Sequence, residues 1–362
     1  MNLIGEHIDY SGGHVLPGAI TLGTLGLVKP RNDSKIFVYS KNFPNQGVMS
    51  FDIFEDLQYV PQDGWLNFVK GVVLFVKKAG YPVEKGFNLL VDGNIPNGAG
   101  LSSSASLELL LGVIIADVNN IEIPRLDLIK IGQRVENLFI GVNSGIMDQF
   151  AVGMGNKDSV LYLNVNNLDY EVIPVNFDGY KILIMNTNKR RELTDSKYNE
   201  RRFESDEALK RLKSKLLIEN LGDLSIEEFE KNKDLIQDEI LIRRARHAVH
   251  ENVRTQKAKK ALQEGNILEM GRLMNASHRS LKNDYDVTGI ELDTLVESAW
   301  ANPNVLGARM TGAGMGGCAI AIVKENSVDE VISQIAHNYE SIIGYAPTFY
   351  IAEIGIGTSK LS

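Results

Sequence analysis

The chain has 362 residues, of which 44% are hydrophobic and 23% charged, with a net charge of −8. That length suffices for two domains with sizeable cores, and the acidic balance argues against nucleic acid or an anionic membrane as the main partner. The only cysteine, Cys318, rules out an internal disulfide and fits a reducing compartment. The longest apolar run, near 107–118, is broken by Glu108 and Asp117, so no membrane span is expected. The first residues lack the basic and apolar regions of a signal peptide.

In chain order, the first informative stretch is NLIGEHIDYSGG, residues 2–13, which crowds Glu6, His7, Asp9 and Tyr10 behind an apolar triplet. Carboxylates accept from adjacent sugar hydroxyls and an imidazole donates or accepts, so the group could clamp a polyol. Taken singly, a cap or a satisfied core histidine is the plainer reading. KIFVYSK (35–41) reads as a strand. Asp63 is placed to cap a helix, GWLNFVKGVVLFVKKAG, that stops at Gly80. FNLLVDG (87–93) is again a strand.

Residues 94–120, NIPNGAGLSSSASLELLLGVIIADVNN, run from a strand exit through a turn and three serines into an apolar helix. Gly98 and Gly100 allow positive φ. Free N–H groups at the helix start, with hydroxyls beside them, make an anion site, and phosphate is the usual anion. The hydroxyls would also suit Mg²⁺, which wants hard oxygen ligands. An ordinary serine cap is the other reading. No Gly-Lys-Ser/Thr follows, so this is not a Walker A loop.

Pro124 opens PRLDLIKIGQRVENLFIG, a helix stopping at Gly141, with Glu136 near its end. Without context Glu136 reads as a surface glutamate. GVNSGIMDQF (141–150) puts Asp148 after a glycine turn among Ile146, Met147 and Phe150. It is a cap, an ion-pair member or a catalytic carboxylate in a drier pocket. VLYLNV (160–165) and YKILIMN (180–186) are strands, Ser225 and Glu228 form a capping box, and a long basic helix runs from about 240 to Gly265.

In GARMTGAGMGGCAIAIV (307–323), Gly312, Gly314, Gly316 and Gly317 separate an extended segment from a buried strand, CAIAIV (318–323). A GxGxxG spacing is present, but a strand follows it, so the dinucleotide-binding context fails. A tight turn and a close backbone approach to a ligand both remain open. TFYIAEI (348–354) is the last strand. The mixed order of elements argues α+β, with two tightly associated domains and a boundary near 175–195.

Together these stretches resemble the galactokinase family within the GHMP small-molecule kinase superfamily. NLIGEHIDYSGGHVLPGAI is similar to the galactokinase signature, PNGAGLSSSASLELL to the phosphate-binding motif, and GARMTGAGMGGCAIAIV to the glycine-rich third motif. GIMDQF, YNERRFES (198–205), RARHAVHEN (244–252) and SHRSLKNDYDVT (277–288) match in the right order, so the resemblance spans nearly the whole chain.

The resemblance implies a two-domain α+β architecture of mixed sheets and helices, with the active site between the domains. The N-terminal GHMP kinase domain would cover 1–180, its first strand truncated, and the C-terminal domain 181–362. It implies ATP-dependent phosphorylation of D-galactose at the C1 hydroxyl, with Mg²⁺. Glu6, His7 and Asp9 match galactose hydroxyl ligands, and Gly145 and Tyr198 further sugar contacts. Asp148 matches the residue that orients and deprotonates the attacking hydroxyl. Ser104 and Glu136 match Mg²⁺ ligands. Gly98, Ala99, Gly100, Leu101, Ser102, Ser103 and Ser104 match the loop around the ATP phosphates. Gly312, Gly314, Gly316 and Gly317 match the motif that steadies that loop. A kinase for N-acetylgalactosamine or arabinose, and a non-catalytic galactose- and ATP-binding sensor, are the alternatives. The expected partners are galactose and ATP, with no nucleic acid or membrane, in a cytoplasmic monomer.

The family signature normally continues upstream as Gly-Arg-Val; here Met1 holds the Val position and the Arg is absent. A misplaced start is expected, since GTG encodes valine and also serves as a start codon. Taken literally, the chain would lack a core strand and an active-site cation, and weak activity and poor stability would follow. Ile8, Ser11 and Ser144 replace the more frequent threonine, asparagine and cysteine and read as tolerated variation.

Overall fold

Short runs of β-branched and aromatic residues form the strands, and longer amphipathic or wholly apolar runs form the helices. The computed structural model describes residues 1–96, 100–189 and 194–361. The strands are β1 (His14–Val15), β2 (Thr24–Pro30), β3 (Lys35–Ser40), β4 (Met49–Asp52), β5 (Phe87–Gly93), β6 (Ser159–Asn164), β7 (Tyr170–Pro174), β8 (Tyr180–Asn186), β9 (Val305–Thr311), β10 (Cys318–Lys324) and β11 (Thr348–Ala352). The helices are α1 (Leu66–Lys78), α2 (Ser103–Asn119), α3 (Arg125–Arg134), α4 (Met147–Met154), α5 (Thr194–Lys213), α6 (Ile226–Asn232), α7 (Glu239–Gln263), α8 (Ile267–Ser280), α9 (Gly289–Trp300) and α10 (Val328–Ile343). The expected strands at 35–41, 87–93, 160–165, 180–186, 318–323 and 348–354 are β3, β5, β6, β8, β10 and β11.

The chain forms two compact units, each assembled from separated segments. One gathers Ile20–Asn97, Ser102–Gly155 and Ile356–Ser362. Its sheet has the order β2-β5-β3-β4, with β3 and β5 parallel and the other pairs antiparallel. Ile36, Val38, Phe87, Leu89 and Val91 alternate along β3 and β5 and are buried, as a half-buried sheet requires. Helix α2 packs against α1, α3, α4 and β2. That explains its lack of a polar face: Leu109, Leu111 and Ile115 are fully buried.

The other unit gathers Met1–Ala19, Gly98–Leu101 and Asn156–Gly355. Its larger sheet, β11-β8-β10-β9, is antiparallel throughout. Leu183, Met185, Ala319, Ala321 and Val323 share a core with Leu292, Leu295 and Val296 of α9 and Val331, Ile335 and Tyr339 of α10. A smaller antiparallel sheet, β1-β6-β7, ties the N-terminal segment to the later chain, with His14 opposite Asn164. Helix α7 packs on α5 and α8, and α8 packs on β9.

Two helix starts can be compared with expectation. The Ser225–Glu228 capping box forms at the start of α6. Asp63 does not cap α1: it closes a 3-10 turn, Pro61–Asp63, and pairs with Lys70 instead. Trp65 occupies the cap position and makes no side-chain cap bond. Pro61, with its fixed φ, sets that extra turn ahead of the helix. The helix from Pro124 ends as expected at Gly141, at φ 90°, but its last six residues, Val135–Ile140, widen into a π-helical turn that carries Glu136.

Candidate active site

In the unit containing the N-terminal segment, two side chains of α7 grip the polar loop. The Gly5 and Glu6 amides donate to Glu251 Oε1 at 3.0 and 3.3 Å, and His247 Nε2 lies 3.0 Å from the Glu6 carbonyl oxygen. Burial raises the Glu251 carboxyl, but Arg254, His247, Arg309 and Ser277 outweigh it and hold the group down at about 2. The Glu6 carboxylate pairs with the guanidinium of Arg309 on β9, which is fully buried and also donates to the Asn2 carbonyl at 2.9 Å. The loop is thus fixed by charge and by its backbone.

His7 sits in the left-handed region, at φ 59°, which turns its ring into an aromatic cluster. Its centroid lies 5.5 Å from that of Tyr198 and 5.0 Å from that of Tyr285. Nδ1 is 2.8 Å from the Tyr10 hydroxyl and Nε2 is 3.3 Å from the Ala313 carbonyl oxygen. Burial, helped by the positive charges around it, lowers His7 to about 3, so the imidazole is neutral. Asp9 is half-buried and its charge is felt by Tyr10. His7 thus packs against Tyr198, while the Glu6 carboxylate is held by Arg309, whose charge also acts on His7.

Ala313 belongs to the glycine turn. Gly312, Gly314, Gly316 and Gly317 all have positive φ, and so does Met315 between them. Only glycine fits at Gly312, because an added Cβ would stand 2.6 Å from the Gly100 carbonyl oxygen. Of the two readings, the structure contains a strained turn and a close backbone approach, here to another backbone segment, that of the serine loop.

In the other unit, the Ser104 hydroxyl at the start of α2 donates to Glu136 Oε1 at 2.6 Å, and Ser144 donates to the second Glu136 oxygen. Burial raises the Glu136 carboxyl; these hydroxyls pull it back, while the charge of Asp148 adds to the rise. Asp148 lies in the first turn of α4, half-buried, and Gly145 is buried in the turn before it. No described side chain caps α2, where Ser102 takes a left-handed conformation at φ 61°. The first N–H groups of the helix thus have no intrahelical acceptor, which is what an anion site needs. Gly98 and Ala99 lie outside the described residues; Gly100 has φ 73° and Leu101 is buried.

Ser104 and Glu136 are hard oxygen donors already touching, a set that suits Mg²⁺ bound with few protein ligands and completed by water or phosphate. In the sequence Glu108 stands out only as a break in an apolar run. It is buried on α2 and accepts from the Gln149 amide at 3.1 Å. Burial, then the charge of Glu136, pushes its carboxyl well up. The available signal was a glutamate in a helix otherwise apolar on all sides. Arg309, His247, Glu251 and Tyr285 also escaped assignment, though all four fall in segments noted for their resemblance.

Residues 1–30 match the galactokinase galactose-binding signature, 67–156 the GHMP kinases N terminal domain and 258–341 the GHMP kinases C terminal domain. A galactokinase of Lactococcus lactis subsp. cremoris is 55% identical over 361 residues, covering 100% of this chain and 90% of the relative. One of Enterococcus faecalis is 56% identical, covering 100% and 93%. The crystal structure of Lactococcus lactis galactokinase complexed with galactose superposes with a TM-score of 0.97 at 54% identity, covering 99% of this chain and 92% of that one. A mevalonate kinase, at 21% identity and a TM-score of 0.68, shares the fold, covering 99% of this chain and 97% of its own. The chain belongs to the galactokinase family of the GHMP kinases.

Proposed function

We propose that the chain transfers the γ-phosphoryl group of ATP to the C1 hydroxyl of D-galactose, giving galactose 1-phosphate and ADP. The observation that carries this is the buried signature loop, in which a carboxylate, a neutral imidazole and the neighbouring tyrosines are held by hydrogen bonds, ring contacts and an ion pair.

In this reading Glu6, His7, Asp9, Gly145 and Tyr198 bind the sugar. The amides of Gly98 to Ser104 and the start of α2 receive the ATP phosphates. Ser104 and Glu136 hold Mg²⁺, which when bound neutralises charge on the phosphates. Asp148 takes the proton of the C1 hydroxyl as that oxygen attacks phosphorus; the bond from phosphorus to the bridging oxygen breaks, and ADP leaves with the electron pair. Gly312, Gly314, Gly316 and Gly317 keep the serine loop in register. The halves 1–180 and 181–362 are our proposed division by family, which differs from the compact units, since those place Met1–Ala19 and Asn156–Gly355 together. A cytoplasmic monomer acting on small molecules is the setting we infer. Among the described residues no helix is long and apolar enough to cross a membrane.

The test is ADP release by the purified chain with ATP, Mg²⁺ and D-galactose, beside N-acetylgalactosamine and arabinose. Release with galactose that disappears on Asp148→Ala supports the reading. Release only with another sugar moves the specificity, and galactose binding without release makes the chain a sensor.

A further inference from the structure

His7 has two ring nitrogens, and each has one neighbour that restricts it. Nε2 faces the Ala313 carbonyl oxygen, which can only accept, at 3.3 Å. A neutral imidazole carries one proton, and a lone pair aimed at a carbonyl oxygen is repelled, so the proton belongs on Nε2. Nδ1 is then an acceptor, and the Tyr10 hydroxyl at 2.8 Å donates to it. The direction propagates along the chain of hydroxyls. With its own proton committed to His7, Tyr10 accepts from the Tyr285 hydroxyl at 2.9 Å, which shares that proton with the Arg201 carbonyl oxygen at 3.4 Å, and Tyr285 accepts from Ser205 Oγ at 2.9 Å. Burial pushes Tyr10 well up and Tyr285 to about 12, so both phenols keep their protons.

We propose that Tyr10 and Tyr285 are positioning residues for the sugar, a one-way hydrogen-bond chain that locks His7 in its Nε2–H form and presents it to a substrate hydroxyl as a fixed donor. The 3.3 Å contact to Ala313 is long for an N–H donor, so a sugar oxygen can share that proton. The glycine turn thereby gains a chemical task, since its carbonyl and the Tyr10 hydroxyl together select the tautomer. The proposal rests on the reading of His7 as a sugar contact.

The test uses the full chain labelled with ¹⁵N-histidine, which has six imidazoles to assign. Wild-type His7 is expected to show a protonated Nε2 and an accepting Nδ1. In Tyr10→Phe the ring loses its donor, and a mixture with the Nδ1–H form is expected. The galactose KM should rise about tenfold, the size of one lost hydrogen bond, with kcat within about twofold and the ATP KM unchanged. Tyr285→Phe leaves Tyr10 free to donate, so the tautomer should hold and the KM rise should be smaller. An Nδ1–H signal in the wild type, or a Tyr10→Phe variant with unchanged tautomer and KM, overturns the proposal. So does a fall in kcat at constant KM. If His7→Ala leaves the galactose KM unchanged, the sugar-contact reading fails instead, and the nitrogen shifts still judge the lock.

Discussion

The Glu6 carboxylate and the Arg309 guanidinium stand 303 positions apart in the chain and pair where water hardly reaches either. Removing one member of a buried pair leaves a charge without compensation, at a cost of about 3–5 kcal/mol. Arg309→Met should lower the unfolding free energy by that amount in denaturant titrations. Adding Glu6→Gln to it should recover part of the loss. A single variant as stable as the wild type would contradict this account.

Ser104 and Glu136 should act as a unit. Each single change, Ser104→Ala or Glu136→Gln, is expected to lower kcat/KM about 100-fold or more and to raise the Mg²⁺ needed for half-maximal rate. The double variant should be little worse than the worse single, because the two share one role. Multiplicative losses in the rate measurements would separate them.

Gly312 is expected to tolerate no side chain. In Gly312→Ala the new Cβ meets the Gly100 carbonyl and the backbone keeps its positive φ, so a loss of about 1–3 kcal/mol should appear in thermal unfolding. The ATP KM should rise more than the galactose KM, since the displaced segment leads into the serine loop.

Acid should weaken the fold through its buried histidines. Burial lowers His247 to about 4. The unfolded chain takes up this proton near pH 6.5 and the folded chain does not. Stability from this source is therefore complete above pH 6.5 and is lost as pH falls toward about 4, at about 1.4 kcal/mol per pH unit. The raised carboxyls of Glu108 and Glu136 act in the opposite sense, so the measurement is a difference. The stability advantage of wild type over His247→Gln should shrink between pH 7 and pH 5. A constant difference would rule this out.

The contrast between legible and hidden residues has a physical basis. β8 and β10 could be read because each has a continuous apolar, buried centre, Ile182–Met185 in β8 and Cys318–Val323 in β10. β2, TLGLVKP, carries a glycine and a proline, and its leucines are exposed, so no pattern announced it. Glu6 and His7 stood out as polar residues beside an apolar triplet. Their partners Glu251 and Arg309 gave no comparable signal: a charge on a helix or strand looks like a solvated face until the tertiary contact is known. Asp63 failed as a cap for a local reason, because Pro61 started a turn of its own ahead of α1.

The pairing of His14 with Asn164 and of Gly5 with Glu251 also sets a timetable for biosynthesis. On the ribosome the signature loop emerges well before α7, and its grip on that helix cannot form until some 240 further residues have been translated, a wait of roughly 10–50 s at ordinary elongation rates. The apolar Leu3, Ile4 and Ile8, all buried in the finished protein, are exposed throughout that interval. The nascent chain thus offers a hydrophobic handle to chaperones before it can offer a sugar site to a substrate.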